Sequence, residues 1–451
     1  MSTTPTLASP PRRHGLRAAW IMTASGWSAN QFSALLGSYR TGAGLSESTV
    51  TGLFALYVLG LVPGLLVCGP LADRHGRRPL ALAALAVNLL STVLLMAGSA
   101  ASGWLFPGRF LTGVGAGALL AAGSAWIKEL SGPPHESPAG PGTAAKRSGL
   151  FVSAGFASGG LVASLIAQWA PYPRVTAYVP HLLLGAAAWV ATRGAPETRP
   201  GTVAAEEGRA AVPVDWRRFR RALLPLAPWI FAAPALGFVT LPGLVDGGLD
   251  GWETVYAGVT TAVVPGAGMA AHPLARRLAT RHRIATGATG LLVIALGLLL
   301  AVPAVSAARP ALALFAAAVL GAGYGLTLTY ALTEAATVAP PERLARVGSL
   351  VWTLAYLGMF APYVVTLLSS TFAVPSLLGA GAVLAVLCCT VLAALNRRDQ
   401  DSSGRFRQDD RRANPQGHSP TPADGQRRHR ATGPPQFGRG GADPRRRAHE
   451  V

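Results

Sequence analysis

The chain has 451 residues, half of them hydrophobic and 13% charged, with a formal net charge of +19 and a mean hydropathy of +0.37. Soluble domains carry about a quarter charged residues, so a chain this apolar is excluded as a string of soluble domains. The basic excess does not mark nucleic-acid binding, because the Arg residues fall between apolar runs, as they do in the cytoplasmic loops of membrane proteins.

A membrane-spanning helix needs about 20 mainly apolar residues. Twelve such stretches follow in chain order: 19–39, 49–71, 80–100, 103–127, 148–170, 175–192, 222–245, 252–272, 284–303, 310–333, 347–370 and 372–395. Pro63–Gly64, Pro234 and Pro265–Gly266 lie inside them, where lipid makes a kink or a close helix approach the expected outcome rather than a stop. The reading is an all-α membrane protein of twelve transmembrane helices. Arg12, Arg13 and Arg17 precede an apolar run longer than a signal peptide's, and no small-x-small cleavage site follows.

Orientation follows from Lys and Arg. With a cytoplasmic N-terminus, the segments 1–18, 73–79, 128–147, 193–221, 273–283 and 334–346 face inward and hold 22 Lys and Arg. The outward loops hold three: Arg40, Arg174 and Arg309. That asymmetry assigns both termini to the cytoplasm. The domain reading is a cytoplasmic N-terminus (1–18), a six-helix bundle (19–192), a central cytoplasmic loop (193–221), a second six-helix bundle (222–395) and a tail (396–451). The tail holds 13 Arg and 7 acidic residues among Gly, Pro, Gln and Ser. It has too few large hydrophobes to fold alone, so it is expected to be disordered. The 37 Arg against 2 Lys fit a GC-rich, bacterial genome.

The halves echo each other. Pro70-Leu71-Ala72-Asp73-Arg74 after span 2 recurs as Pro273-Leu274-Ala275-Arg276-Arg277 after span 8. Gly113-x-Gly115-x-Gly117 in span 4 recurs as Gly321-x-Gly323-x-Gly325 in span 10. Arg147-Ser148-Gly149 and Arg346-Val347-Gly348 both lead into the next span. Together these suggest a duplicated six-helix unit.

The sharpest local signal is Gly69-Pro70-Leu71-Ala72-Asp73-Arg74-His75-Gly76-Arg77-Arg78, between spans 2 and 3. Glycines permit a tight turn and close helix contact. Asp73 at the lipid–water boundary requires a cation or a helix N-terminus as partner. Arg74, Arg77 and Arg78 can make charge-assisted bonds to neighbouring carboxylates. The run resembles motif A of the major facilitator superfamily, G-x-L-a-D-r-x-G-r-r. Pro196-Glu197-Thr198-Arg199 resembles the PETR sequence found after span 6 in many members, and Arg109 with Gly113 and Gly115 resembles motif B. Lys128, Glu129 and Arg147 stand in the 4–5 loop where relatives place salt-bridging charges, so Glu129, Arg147, Glu197 and Arg199 are the cytoplasmic salt-bridge candidates. The resemblance covers residues 18–395. It implies two six-helix bundles around a central cavity, alternating access, and an inner gate at Gly69, Asp73, Arg74, Gly76, Arg77 and Arg78.

The chain departs from the family in two places. Many exporters carry G-x-x-x-G-P-x-x-G-G in span 5, whereas here Gly160 stands at the Pro and Ala163-Ser164 at the Gly pair. The second motif A has Arg276 where its Asp would be, implying an asymmetric inner gate.

No Asp or Glu lies deep in a span, so proton coupling is an expectation of the resemblance alone. Arg109 is roughly 9 Å into span 4. It either snorkels to the outer interface or faces the cavity, where its charge would act on an anionic group or on His181 in span 6. His181 is read as an interhelical hydrogen-bonding residue. Asn30 lies roughly 16 Å into span 1, near the midplane, with Trp27 and Gln31 beside it. These three, with Tyr57, His181, Tyr324, Trp352 and Tyr356, are the cavity candidates. Cys68, Cys388 and Cys389 sit in apolar runs without metal-ligand spacing and read as packing residues. No phosphate-cradling loop or catalytic triad is present in the sequence, so neither a cofactor nor an enzyme activity is expected.

The expected function is secondary active transport of a small organic molecule across the plasma membrane, with proton-coupled efflux first. The partners are that substrate, protons and the lipid bilayer, with no nucleic acid. An uptake symporter or a uniporter is the alternative within transport. A membrane scaffold or sensor is the alternative outside it, and deleting the tail would abolish only that role.

The topology is testable with an impermeant thiol reagent on sealed cells. Ser46→Cys and Asp250→Cys are expected to label from outside, and Val203→Cys in the central loop to stay unlabelled. Labelling of Val203→Cys would overturn the orientation.

Overall fold

A computed structural model describes residues 14–136, 143–198, 214–339 and 343–413. Residues 1–397 form one compact unit and 398–451 a second. Twelve helical passes follow in order: α1 (14–43), α2 (Glu47–His75), α3 (Arg77–Ala97), α4 (Ser102–Leu130), α5 (Thr143–Trp169), α6 (Pro173–Thr192), α7 (Trp229–Leu244), α8 (Glu253–Ala270), α9 (Ala285–Ser306), α10 (Pro310–Val338), α11 (344–368) and α12 (Val374–Ala413). Among the described residues, nine helices are long and apolar enough to cross a membrane. The passes outside that nine are α1, α7 and α8. They carry the most polar or interrupted sequences and stand where the two halves meet, shielded from lipid by protein.

Large apolar side chains point outward all round. Leu183, Val190, Phe315 and Val383 are each about 60% exposed or more, which on a soluble protein would be an aggregation hazard and in lipid is the expected surface.

Lipid tails are as apolar as leucine, so the helices associate through close packing rather than through escape from water. The repeated glycines supply it, in the same way twice. A Cβ on Gly113 or Gly117 would stand 2.0 or 2.2 Å from the Tyr57 or Leu61 carbonyl oxygen of α2, while one on Gly115 would meet Asn88 and Ala84 of α3. In the second half, a Cβ on Gly321 or Gly325 would stand 2.2 Å from the Val264 or Gly268 carbonyl oxygen of α8, while one on Gly323 would meet Ile294 and Gly290 of α9. Each Gly-x-Gly-x-Gly therefore clears the second helix of its half with its outer glycines and the third helix with its middle one. The internal duplication read from the sequence is thus present in the packing.

Four boundaries differ from the sequence reading. The loop expected at 73–79 is a one-residue corner at Gly76, whose φ of +107° favours glycine. The expected inner loop 273–283 is largely helix, His272–Arg281, since Ala275 and Leu278 recur on one face and pack against the bundle. Span 7, expected from 222, begins at Trp229. A separate short helix, Trp216–Ala222, is capped by Asp215, which accepts the Arg218 N–H, and six turn residues separate the two. The tail boundary expected at Asn396 falls inside the last helix, Val374–Ala413. Most of the central loop and the residues beyond Ala413 lie outside the described residues.

Pro63 and Pro70 lie within α2, Pro234 within α7 and Pro265 within α8. None of them ends its helix. Two π-turns interrupt passes at the centre of the molecule, Leu119–Gly123 in α4 and Leu236–Thr240 in α7. Such turns cluster at functional sites.

Candidate functional site: an aromatic cavity between two ionic ends

At the α2–α3 corner, Glu197 reaches back to the start of α3. Its Oε1 accepts the Arg77 N–H at 2.8 Å and its Oε2 accepts the Arg78 N–H at 3.2 Å. A helix N-terminus has unsatisfied N–H groups and a positive dipole end, so a carboxylate is well placed there. A Cβ on Gly76 would stand 2.7 Å from Glu197 Oε2, so glycine at the corner is needed for space as well as for φ. Asp73 pairs with Arg77 at 2.5 Å, one helical turn away, and Arg77 Nε donates to Glu129 of α4 at 3.2 Å. Thr198 Oγ1 donates to the other oxygen of Glu129, and Arg78 donates to the Arg193 carbonyl at 2.7 Å. Motif A is thus one network joining the ends of α2, α3, α4 and α6. Arg77 is its hub, Glu197 holds the helix N-terminus, and Asp73 takes the cation.

Arg74 is exposed and Gly69 has open space around it, so neither makes the close contact that the motif implies. Arg147 pairs with Glu136 at 2.6 Å. Arg199 lies outside the described residues.

The second half repeats the central pair without the motif. Arg283, before α9, donates to Glu334 of α10 at 3.1 Å, and Arg218 joins the same buried carboxylate. Arg283 and Glu334 follow Arg77 and Glu129 by 206 and 205 residues (283 − 77 and 334 − 129). That is close to the offset of the other repeats, so aligning the repeats is enough to find the pair.

At the opposite end the halves are clasped. Arg40 at the end of α1 pairs with Glu47 at 2.8 Å and with Asp246 after α7. Gln168 of α5 donates to the Gly251 carbonyl at 2.8 Å, and Trp169 meets Trp252 edge-on with ring centroids 6.0 Å apart. Slightly deeper, Phe54 and Phe238 meet across the halves at 6.2 Å. Burial pushes the Asp246 carboxyl above its ordinary range, against the pull of Arg40.

Between these ends lies a cavity of about 890 Å³ including its open mouth, lined from both halves. Asn30, Ser33, Phe54, Tyr57 and Phe156 come from the first half, and Phe231, Phe238, Tyr324, Trp352 and Tyr356 from the second. Among the described residues no charged side chain lines it. Phe231 stacks on Tyr356 at 4.5 Å, on Tyr324 at 5.9 Å and on Trp352 at 6.0 Å. The hydroxyls of Tyr57, Tyr324 and Tyr356 have no hydrogen-bond partner among the described residues. Asn30 Nδ2 donates to the Phe156 carbonyl at 2.8 Å and to the Thr261 carbonyl at 3.4 Å, so it ties α1 to α5 and α8 at the cavity wall.

Of the eight cavity candidates, Asn30, Tyr57, Tyr324, Trp352 and Tyr356 line this space, and Trp27, Gln31 and His181 do not. Trp27 backs onto Gly155 and Gly159 of α5. Gln31 points into the first bundle, donating to Thr92. His181 bonds Thr92 Oγ1 at 2.8 Å and the Ala24 carbonyl at 3.1 Å, the interhelical role expected of it. Sequence reasoning missed Phe231 and Phe238, because nothing separates a cavity-facing phenylalanine from a lipid-facing one in a uniformly apolar helix.

Arg109 follows neither of its two expected accounts. It is fully buried, so it does not snorkel, and it does not line the cavity. Its guanidinium lies 4.5 Å from the Phe32 ring centroid and 5.1 Å from that of Tyr57, and it donates to the Leu53 and Phe54 carbonyls at 3.2 and 3.5 Å. Ring faces and backbone oxygens of α1 and α2 stand in for a counter-ion. His181 is not among its partners. Among the described residues, no group of three His, Cys, Asp or Glu is placed to hold a metal ion.

The family model described as Major Facilitator Superfamily matches residues 18–362. The chain belongs to the Major Facilitator Superfamily. It is therefore a multi-pass membrane protein of a transporter family, with that family's twelve helices in two six-helix bundles. Part of it is similar to the multidrug resistance protein MdtL of Klebsiella pneumoniae (strain 342), 31% identical over 86 residues, which is 19% of this chain and 22% of that relative. The match thus spans between a fifth and a quarter of the relative's length. A POT family transporter in complex with 5-aminolevulinic acid superposes with a TM-score of 0.69 at 12% identity, covering 86% of this chain and 96% of that one. A D-xylose-proton symporter does so with a TM-score of 0.64 at 17% identity, covering 84% and 96%. At these identities the likeness is one of fold.

The motif A network separates two kinds of variant. Asp73→Asn is expected to slow transport while leaving half-saturation within about twofold of wild type, because Asp73 is remote from the cavity. Arg77→Ala is expected to be slower still, since it strands both Asp73 and Glu129. Transport assays on reconstituted protein check this, and normal turnover with weakened substrate binding would contradict the assignment.

Proposed function

We propose that this protein exports a small, neutral or amphipathic organic molecule across the plasma membrane by alternating access. The observation that carries the reading is the cavity: among the described residues it is aromatic, has no charged lining side chain, is built from both halves, and is clasped between them at one end. A charged substrate would lose its hydration there with no opposite charge to replace it. A planar or apolar one meets stacked rings and free tyrosine hydroxyls, the composition expected of an orienting small-molecule site. The partial likeness to MdtL, a multidrug resistance protein, favours export over uptake.

The Lys and Arg asymmetry supports a cytoplasmic motif A, and on this reading the clasped end is the outer one and the cavity faces inward. In that state the substrate enters from the cytoplasm and rests against the Phe231 group. The clasp then opens as the motif A end closes. Arg77 and its carboxylates act as the inner gate in this reading, holding α2, α3, α4 and α6 as one rigid end. Proton coupling supplies the driving force.

Proteoliposomes carrying the purified full chain test the proposal. With the cytoplasmic side facing outward and the interior acidic, neutral aromatic compounds are expected to accumulate against their gradient. A protonophore should abolish that accumulation. Phe231→Ala should weaken half-saturation by about tenfold, since stacked aromatic contacts contribute roughly 1 kcal/mol or more each. Accumulation that is indifferent to the pH gradient, or confined to small charged solutes, would refute it.

A further inference from the structure

Among the described residues, the carboxylates that gather where the two halves meet are at the clasp. Glu47, Asp246 and Glu253 line one small pocket with Arg40, and they are its titratable groups. They come from the start of α2, the turn after α7 and the start of α8, and Arg40 from the end of α1, while the adjoining ends of α11 and α12 bring Thr366, Ser369 and Val374 and no charge. One guanidinium among three carboxylates leaves a formal charge of −2 in a partly buried space, where Asp246 is 34% exposed and Arg40 27%. Closing this end requires those like charges to converge away from water, which is costly.

A second observation connects the pocket with the central cavity. Ser33 and Phe238 line both spaces. Ser33 is almost fully buried, and its hydroxyl has no hydrogen-bond partner among the described residues. It is the polar side chain shared by the two, at the position a proton would pass between them.

We propose that the clasp is the proton-binding site of the transport cycle, and that closing this end takes one proton from the adjoining water onto the Asp246 carboxylate. One O–H bond forms on Asp246 as one O–H bond of a hydronium ion breaks and leaves water, and the cluster goes from −2 to −1. Arg40 keeps its bond to Glu47 and to the unprotonated oxygen of Asp246. The proton leaves past Ser33 into the central cavity while this end is still closed, and when the end opens the carboxylate is hydrated and returns to its ordinary acidity.

The sign follows from linkage. The closed clasp holds the Asp246 proton more tightly than open water does, because burial and then Glu253 and Glu47 outweigh Arg40. The closed state is therefore favoured as pH falls through the raised value and loses that advantage as pH rises. A plain salt bridge has the opposite sign, since acid would break it. On the alternating-access reading above, on which its role in transport rests, the site is loaded from outside while the protein is empty, as exchange of a proton for an exported substrate requires.

The test uses the full chain in nanodiscs, with Cys68, Cys388 and Cys389 replaced by Ser and spin labels at Thr41→Cys and Gly247→Cys. Electron–electron distance measurements then report the clasp without any substrate. The ratio of short to long distances is expected to rise about 3- to 10-fold from about pH 8 to about pH 5. Asp246→Asn retains an oxygen for Arg40 and lacks the charge, so the short distance should dominate at both pH values and the pH response vanish. Glu253→Gln, as a second variant, should shift the crossover to lower pH. A short population that grows with rising pH, no pH response in the parent, or an unchanged response in Asp246→Asn would each overturn the proposal. If the distances respond as expected while proteoliposomes move no substrate, the transport reading fails and the proton site stands. If substrate moves while the distances ignore pH, the proton site fails and the transport reading stands.

Discussion

Lipid offers no hydrogen-bond partner and no hydrophobic reward for bringing two helices together. Each half of this molecule must therefore be held by contacts that only very close approach makes possible. The crossings of α2 with α4 and of α8 with α10 meet that demand with glycine set against backbone carbonyls, at separations a single Cβ would forbid. Filling such a site would cost roughly 1–3 kcal/mol or more. Two stiff bundles result. The halves also approach closely where α5 meets α8, but there Gly160 faces the Thr261 side chain and Gly258 the Ser164 side chain, so the contact is mainly with side chains rather than with carbonyls.

The duplicated frame carries unequal equipment. Both halves keep the pair between the start of their third helix and the end of their fourth, Arg77 with Glu129 and Arg283 with Glu334. Only the first adds Asp73 beside the pair and Glu197 on the helix N-terminus. Among the described residues, only the first buries an arginine, held by Phe32, Tyr57 and two carbonyls of α2. The second supplies the stacked rings around Phe231. The first half's added ion pairs stand at its end, away from the cavity, while both halves bring aromatic side chains to the cavity wall and the stacked cluster belongs to the second.

Much of this is legible in the chain itself. Hydropathy places twelve passes, the glycine repeats and the Pro-Leu-Ala repeats locate the duplication, and motif A announces its own chemistry. The remaining features depend on relations that a linear reading does not carry. Arg40 and Asp246 look like ordinary charges at span ends until the fold brings together residues 206 positions apart. Phe231 has the same neighbours in sequence whether it faces lipid or a cavity. Depth alone allows Arg109 either to snorkel or to line the pocket, whereas its burial follows from two rings on other helices. A start of span 7 at 222 treats 222–228 as apolar helix, but prolines at 225 and 228 break it into turns.

The central claim is that the halves part at the clasped end in every cycle. Joining them there should stop transport without touching the cavity. Trp169→Cys with Trp252→Cys, in a chain whose native cysteines are Ser, places one thiol on each half where the two indoles now meet. Oxidative cross-linking in proteoliposomes is expected to abolish substrate transport, and reduction to restore it. Cross-linked protein that continues to transport at the uncross-linked rate would contradict the account.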